Sequence, residues 1–462
     1  GQQWHLGMFQ ERYTPTMRGF TEHAGYYQGC GSAYTHIAGC CQAGSPYSDV
    51  AFVCNVTSKN GIWRGYDWWE SALDPPPELL RVPSKPVLGA NHTNSVDLIR
   101  DHAISFIKRK AAAKTPFFLY LPFQNVHGPF TTQEKFFNLY LNRSRFTAGE
   151  ATLFGYITEL DDAVGSVVAT LKSAEVWENT IVVFSSDNGA PNGTPDVCHP
   201  QPHAGGGEHY IVRNYPFRGA KTTQWEGGTR VPGFIGGGWT AFPTAARGTI
   251  STKLFHVTDW LPTLAKLGGV STEGSFALDG HDIFPALTSK TVPSPRTEML
   301  YNVNPLCFSG QAHAPKAALR VGDYKLMAWC FNVKGINGSV VTGPVKANST
   351  QAMATDPGFG ENDGLVLYDV ERDPGENTNI RALPEHAARV RTMLTRMTEL
   401  ALEMVEPQQW DPPYQGSNYF CAACPKHPND VDGKNGPAIP WSAWIPERDA
   451  VAVAAVLEQQ RP

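Results

Sequence analysis

Ile181-Val-Val-Phe-Ser-Ser-Asp-Asn-Gly189 is an apolar run that ends in a carboxylate, an amide and a glycine. A strand buried on both faces of a parallel sheet reads this way, as a continuous apolar stretch rather than an alternating one. Open α/β sheets bind ligands at the carboxyl ends of their strands, so Asp187 and Asn188 are expected at that edge. Both offer hard oxygens, which suit calcium or magnesium, whereas His and Cys ligands would indicate zinc. Lys221, in Arg218-Gly-Ala-Lys221, adds a cation close in sequence, and Trp225-Glu-Gly-Gly-Thr-Arg230 follows with glycines that imply close backbone approach. The combination reads as a divalent cation beside a bound oxyanion. Asp-Asn-Gly is also an ordinary turn sequence, and a lone lysine is usually a solvated charge; the apolar strand in front weighs toward a site. Arg218 and Arg230 read as structural partners of acidic loops.

Outward from this stretch the pattern alternates helix and strand. Residues 95–114 place Val96, Ile99, Ala103, Phe106 and Ile107 on one helical face, and Pro116 closes the connection. Phe117-Phe-Leu-Tyr-Leu-Pro-Phe123 then reads as a strand buried on both faces. A helix over 148–173 carries an apolar stripe of Leu153, Ile157, Leu160, Val164, Val167, Val168 and Leu171, and Ile181–Phe184 is the next strand. Thr229–Ile235 reads as another strand, and Phe255–Leu267 as a helix with Trp260, Leu261 and Leu264 inward. This alternation predicts an α/β, doubly wound fold with a parallel sheet covered by helices. His127, in Val126-His-Gly-Pro129, follows the strand ending at Phe123 and emerges at the same carboxyl edge, where an imidazole can donate to an oxyanion or protonate a leaving alcohol. From about residue 298 the texture changes to short strands, Ala318–Val321, Tyr324–Met327 and Leu367–Val370, then a helix near Ala387–Val405. The expected organisation is a catalytic α/β domain over 1–297, a smaller antiparallel subdomain over 298–405 and an extended wrapping tail over 406–462.

A chain of 462 residues with 41% hydrophobic content can build such a core. A net charge of -5 with interspersed signs leaves no basic patch for nucleic acid and no polybasic membrane anchor. No apolar run approaches the roughly 20 residues that span a bilayer. Six glycosylation acceptors, at Asn55, Asn91, Asn142, Asn192, Asn337 and Asn348, exceed the roughly two or three expected by chance and suggest the secretory pathway. Nine cysteines fit an oxidising compartment, with one left over from internal pairing. Cys421-Ala-Ala-Cys424 has no second pair or nearby His tract that would make it a zinc site.

Ser186-Asp-Asn-Gly189, Arg218–Lys221, Trp4-His-Leu-Gly7, Val126-His-Gly-Pro129 and Leu367-Tyr-Asp-Val-Glu-Arg-Asp-Pro374 together resemble successive blocks of the sulfatase family, in its arylsulfatase B-like group (N-acetylgalactosamine-4-sulfatase and close relatives). The resemblance runs to about residue 380. It implies the alkaline-phosphatase-like form of the α/β fold and hydrolysis of a sulfate ester on a carbohydrate or aryl alcohol, with calcium held by Asp187 and Asn188. Lys221 would contact the sulfate and His127 would assist the leaving alcohol. His5 would hydrogen-bond the hydrated formylglycine nucleophile and help release sulfate. The resemblance and the spacing both make Cys41 with Cys54, and Cys307 with Cys330, candidate local bridges; Cys421 or Cys424 would then pair with a cysteine upstream.

Two departures stand out. Sulfatases carry a strand ending in a paired calcium-binding Asp, then Cys-x-Pro-Ser-Arg or Ser-x-Pro-Ser-Arg, whose first residue becomes formylglycine. Neither block occurs in these 462 residues, so the chain reads as a sulfatase lacking the amino-terminal segment that bears the nucleophile, and inactive by itself. In addition, Gln3 stands where the family has Lys ahead of Trp, and a neutral amide bonds an anion about half as strongly as a cation does. A lysosomal or secreted glycoprotein is expected. Two rivals remain: a catalytically silent sulfatase-fold protein that binds glycans or serves as a scaffold, and a two-zinc phosphodiesterase or phosphatase of the same superfamily, which would need further Asp and His ligands.

Overall fold

The computed structural model describes residues 4–6, 11–27, 29, 31–34, 36–39, 64–76, 81–128, 130–141, 143, 146–190, 214–221, 223–240, 242–274, 276–303, 317–328, 331–332, 341–342 and 364–403. All nine cysteines, Gln3, the tail and every glycosylation acceptor except Asn91 lie outside these residues. Among the described residues no helix is long and apolar enough to cross a membrane. By its internal contacts the chain forms two units, one of residues 1–180, 193–211 and 410–462, the other of 181–192 and 212–409.

Among its described residues the first unit has short antiparallel pairings and three α-helices. Strands β1 (Ala24–Gly25), β4 (Trp69–Glu70) and β5 (Lys85–Pro86) form one sheet in the order β1-β4-β5, and β2 (Ile37–Gly39) pairs with β3 (Arg64–Tyr66). Helix α1 (Ser95–Ala112) starts where the Asn94 side chain accepts the Val96 N–H, with Asp97 in its first turn and Arg109 and Lys110 in its last. Those charges complement the helix dipole at each end. It buries Val96, Ile99, Ala103 and Ile107, as its periodicity predicts. Helix α2 (Glu134–Leu141) has no counterpart in the sequence reading. Helix α3 (Ala148–Ser173) begins on a capping box between Thr147 and Glu150.

Packing revises the buried face of α3. Ala151, Gly155, Tyr156, Glu159 and Ala163 are buried, while Ile157 is exposed. Small residues let α2 approach closely: a Cβ on Gly155 would press on the α2 backbone at Phe136. Of the expected stripe Leu171 is buried, while Leu153, Leu160, Val164, Val167 and Val168 are partly exposed. Phe117–Phe123 also differs from expectation. It has no ladder partner among the described residues, and Phe118 and Tyr120 are exposed, while Leu121 and Phe123 pack on a core of Tyr26, Trp68, Ala90 and Ile99. Among the described residues its apolar side chains pack on one side only.

In the second unit, β6 (Val182–Ser185) pairs with β7 (Gly233–Gly236), preceded by the short helix α4 (Glu226–Thr229). The β6–β7 pairing is antiparallel, with Val183 opposite Ile235 and Phe184 opposite Phe234, whose rings stack. The strand expected over Thr229–Ile235 therefore begins later, because Glu226–Thr229 takes up a helical turn. Helices α5 (Trp260–Leu267) and α6 (Phe284–Thr288) follow; Leu261 of α5 points to solvent and Thr263 is the residue buried.

The most regular part is a four-stranded antiparallel sheet in the order β13-β10-β9-β8, with β8 (Glu298–Val303), β9 (Ala317–Val321), β10 (Tyr324–Ala328) and β13 (Leu365–Asp369). A separate antiparallel pair joins β11 (Phe331–Asn332) and β12 (Val341–Thr342). The two-residue alternation of strands sorts the sheet into two faces. Ala317, Leu319, Leu326, Leu365 and Leu367 lie under helix α7 (Ala387–Glu403), which supplies Val390, Met393, Met397 and Ala401. On the other face Ala318, Met327, Val366 and Tyr368 pack on Trp225. Leu367 is fully buried at the centre of the first layer. Leu367→Ala is expected to lower stability by about 2–5 kcal/mol in urea unfolding of the whole chain, and a loss below about 1 kcal/mol would contradict this assignment of the core.

Candidate active site

Asp187 and Asn188 follow β6 directly, at the end of the strand where the sequence reading places them. Asp187 is exposed, and its Oδ1 accepts the Asn188 N–H at 2.8 Å. Asn188 turns its Nδ2 onto the Gly189 carbonyl at 2.9 Å, so its Oδ1 is directed away from that bond. Ser186 Oγ donates to the Asn188 carbonyl at 3.0 Å. The segment is a turn closed by its own side chains, and it carries carboxylate and amide oxygens.

Lys221 is fixed beside this turn through the backbone. Its N–H donates to the Ala190 carbonyl at 2.9 Å, and Gly189 N–H donates to Gly228 at 3.0 Å. Asn214 ties both strands of the loop together. Its Oδ1 accepts the Ala190 N–H at 2.8 Å, and its Nδ2 donates to the Ala190 carbonyl at 2.9 Å and the Gly219 carbonyl at 3.1 Å. Gly227 N–H donates to the Arg218 carbonyl at 2.7 Å. Glycine is required at two of these crossings: a Cβ on Gly189 would run into the Gly227 carbonyl, and one on Gly227 into the Arg218 carbonyl. This meets the expectation of close backbone approach around Lys221.

Arg218 and Arg230 are held structurally. The Arg218 guanidinium lies 4.0 Å from the Trp225 ring centre and donates to the Glu376 carbonyl at 3.3 Å. Arg230 stands 4.9 Å from the Phe217 ring centre and 3.8 Å from Glu226. Asn214 and Glu376 are contributors that sequence reasoning missed. Neither sits in a motif, and only the short distance from Asn214 to Lys221 in sequence hints at its role.

In the first unit, His127 ends the segment after Phe123. Its N–H donates to the Gln124 carbonyl at 2.8 Å, and its Nδ1 lies 2.7 Å from the Gly128 carbonyl. A carbonyl can only accept, so in this contact Nδ1 carries the hydrogen. Two neighbours, buried Gln124 and half-buried Asn125, set this loop. Gln124 accepts from Ser95 Oγ at 2.9 Å, and Asn125 donates to the Tyr156 carbonyl at 2.9 Å and toward Glu159 at 3.4 Å. Glu159, buried on α3, also receives Asn94 Nδ2 at 3.1 Å, and burial raises its carboxyl to about 7. His5 is exposed with φ 45°, its N–H bonds Tyr27 at 2.9 Å, and its ring covers Gly29, where a Cβ would collide with it. A left-handed backbone is uncommon for a residue other than glycine, and histidine is among those that tolerate it best. The structure thus groups Asp187, Asn188 and Lys221 in one unit and places His5 and His127 in the other.

The sulfatase family profile matches residues 2–270, more than half of the chain. The chain belongs to the sulfatase family. Mouse arylsulfatase J is 31% identical over 311 residues, which are 66% of this chain and 42% of that protein. Mouse N-acetylgalactosamine-6-sulfatase is 27% identical over 310 residues, 67% of this chain and 52% of that protein. The sulfatase chain thus spans about half the length of these curated relatives. Among solved structures, that of Ps i-CgsB in complex with k-i-k-neocarrahexaose superposes with a TM-score of 0.60 at 19% identity, covering 92% of this chain and 76% of that one. The likeness shows the α/β, alkaline-phosphatase-like fold.

Asn214 accounts for three of the bonds that set the Lys221 loop against the Asp187 turn. Asn214→Ala leaves those groups without their partner. It is expected to lower stability by about 1–3 kcal/mol and to raise amide exchange of residues 218–221; unchanged exchange there would contradict the role given to Asn214.

Proposed function

We propose that this chain serves a calcium-dependent sulfuric ester hydrolase that acts on a sulfated carbohydrate or an aryl sulfate. The observation that supports this most is the backbone lattice in which Asn214, Gly189 and Gly227 hold Lys221 beside the Asp187–Asn188 turn. A fixed cation next to two hard oxygen donors suits an oxyanion with a divalent counter-ion. The relatives named N-acetylgalactosamine-6-sulfatase and the solved complex with neocarrahexaose favour a carbohydrate as the alcohol part.

The donor chemistry at the turn fits calcium. Asp187 uses one carboxylate oxygen within the turn, and the Asn188 amide is oriented by Gly189. Among the described residues no group of three or more His, Cys, Asp or Glu could hold a metal, so this turn supplies two ligands of the six to eight that calcium takes. A cation bound there would polarise the sulfate oxygens as a Lewis acid. In this reading Lys221 stabilises negative charge on the ester oxygens, His127 delivers a proton from Nε2 to the departing alcohol, and His5 takes up a hydroxyl proton during sulfate release. The protein is assigned to the secretory pathway, as a secreted or lysosomal glycoprotein. Asn91, the one acceptor among the described residues, is exposed in a turn, as an acceptor must be. The catalytic domain is proposed to run over 1–297, with the antiparallel subdomain at 298–405 and the tail at 406–462.

None of the cysteines lies in Cys-x-Pro-Ser-Arg, so these residues do not supply the nucleophile. The same fact favours a second reading, a sulfatase-fold protein that binds sulfated glycans without cleaving them. Calorimetric titration with inorganic sulfate in the presence of calcium tests both. Binding should weaken at least tenfold in Lys221→Ala, since losing a charge-assisted bond costs about 1.5–3 kcal/mol; equal affinities would contradict the role of Lys221. The purified chain by itself is expected not to turn over an aryl sulfate, and turnover that disappears in Lys221→Ala would overturn that expectation.

A further inference from the structure

Directly beneath the Lys221 loop lies a group of charges that the proposed chemistry does not use. Lys325 of β10 has no exposed surface, yet it stands 2.9 Å from Glu226 Oε1 and 3.0 Å from Glu376 Oε1. Both carboxylates are buried as well. Glu226 opens α4, and Glu376 belongs to the turn after the Asp369–Pro374 stretch. That turn is wound around Asp373, which accepts the N–H groups of Asn377 and Thr378 at 2.7 Å each. The winding holds Glu376 in a left-handed backbone, φ 52°. A glutamate in that region costs free energy that the surroundings must overcome, and here it aims a carboxylate into the core.

The connection to the loop is short. Glu376 Oε2 accepts the Glu226 N–H at 2.7 Å, and the Glu376 carbonyl accepts from Arg218 at 3.3 Å. The next residue, Gly227, donates to the Arg218 carbonyl, and Gly228 accepts from Gly189. Glu376 therefore grips both ends of the segment that carries Lys221.

We infer that Lys325 and Glu376 are positioning residues for Lys221: one buried lysine shared by two carboxylates clamps the Arg218–Gly228 loop, and the clamp tightens when the cluster binds a proton. This rests on the reading of Lys221 as the sulfate-binding cation. One lysine balances only one carboxylate. The other facing groups are Tyr301 from β8, whose hydroxyl donates to Glu226 at 3.0 Å, Arg320 from β9, and Arg218 and Arg230 at the loop. Tyr301 remains a neutral donor, since burial and then Glu226 push its ionisation well up.

The two carboxyls respond in opposite senses. Burial works against the Glu226 anion, but Lys325 and the bonds from Lys325 and Tyr301 outweigh it and hold that carboxyl below its usual value. Burial dominates at Glu376 and raises it to about 7. Its Oε1 faces the Lys325 ammonium at 3.0 Å and its Oε2 takes the Glu226 N–H, so two carboxylates compete for one lysine. A raised carboxyl gives stability that is fully present below its unfolded value and lost as pH rises through the folded one. The clamp is thus tight in weak acid and loosens through neutrality, where two buried anions share one lysine.

Amide exchange of residues 218–228 in the full chain tests this, after correction for the intrinsic pH dependence of exchange. Protection should fall about tenfold between pH 6 and pH 8, the change expected of one carboxyl titrating near 7, and Glu376→Gln should abolish the difference. A flat wild-type profile, or an unaltered slope in Glu376→Gln, would overturn the clamp. Titration with inorganic sulfate at both pH values separates this from the functional reading. Exchange that follows Glu376 without sulfate binding would overturn the role of Lys221 and uphold the clamp. Sulfate binding with exchange indifferent to Glu376 would do the reverse.

Discussion

A fully buried lysine ammonium is the constraint around which the second unit is organised. Taking an ion of this size out of water costs several kcal/mol, and that cost is offset only when partners stand in good geometry. Lys325 meets the condition with two carboxylates and the face of Tyr301, 4.2 Å from the ring centre. Each partner comes from a different element, so the ammonium fixes β8, α4 and the Asp373 turn against β10 in one arrangement. The apolar side chains on the same sheet face, Met327, Val366 and Tyr368, add burial around Trp225 but do not by themselves select its orientation.

That arrangement reaches the surface through backbone contacts and the side chain of Asn214. Trp225 sits under the Arg218 guanidinium, Glu226 presents its N–H to Glu376, and Gly227 and Gly228 pass the Arg218 and Ala220 carbonyls too closely for any Cβ. Lys221 and the Asp187 turn are therefore placed by backbone hydrogen bonds together with those of Asn214. The glycines of Trp225-Glu-Gly-Gly thus allow the close backbone packing around Lys221.

Local signals in the sequence located the long helices well. Asn94 ahead of α1 and the Thr147–Glu150 box ahead of α3 are capping residues readable without any tertiary knowledge. Strands β9, β10 and β13 were legible because alternation and Gly-rich turns bound them. Apolar content misled where it stood for more than one environment: Phe117–Phe123 packs on one side, and Leu261 faces solvent although its helix is amphipathic. Asp187, Asn188 and Lys221 could be named from strand ends and family blocks. The cluster of Lys325, Glu226 and Glu376 could not, because its members lie 99 and 150 positions apart in sequence and carry no motif. Long-range ion pairs of this kind leave no periodicity to read.

Membership of the sulfatase family and the α/β fold supply the frame, and the buried lysine explains how this chain sets its loop within it. The most direct measurement is a double-mutant cycle between Lys325→Met and Glu226→Gln, followed by urea unfolding of the full chain at pH 6. If Lys325 clamps the loop through Glu226, the two losses are coupled by more than about 1 kcal/mol. Losses that add to within about 0.5 kcal/mol, as independent sites do, would contradict the account.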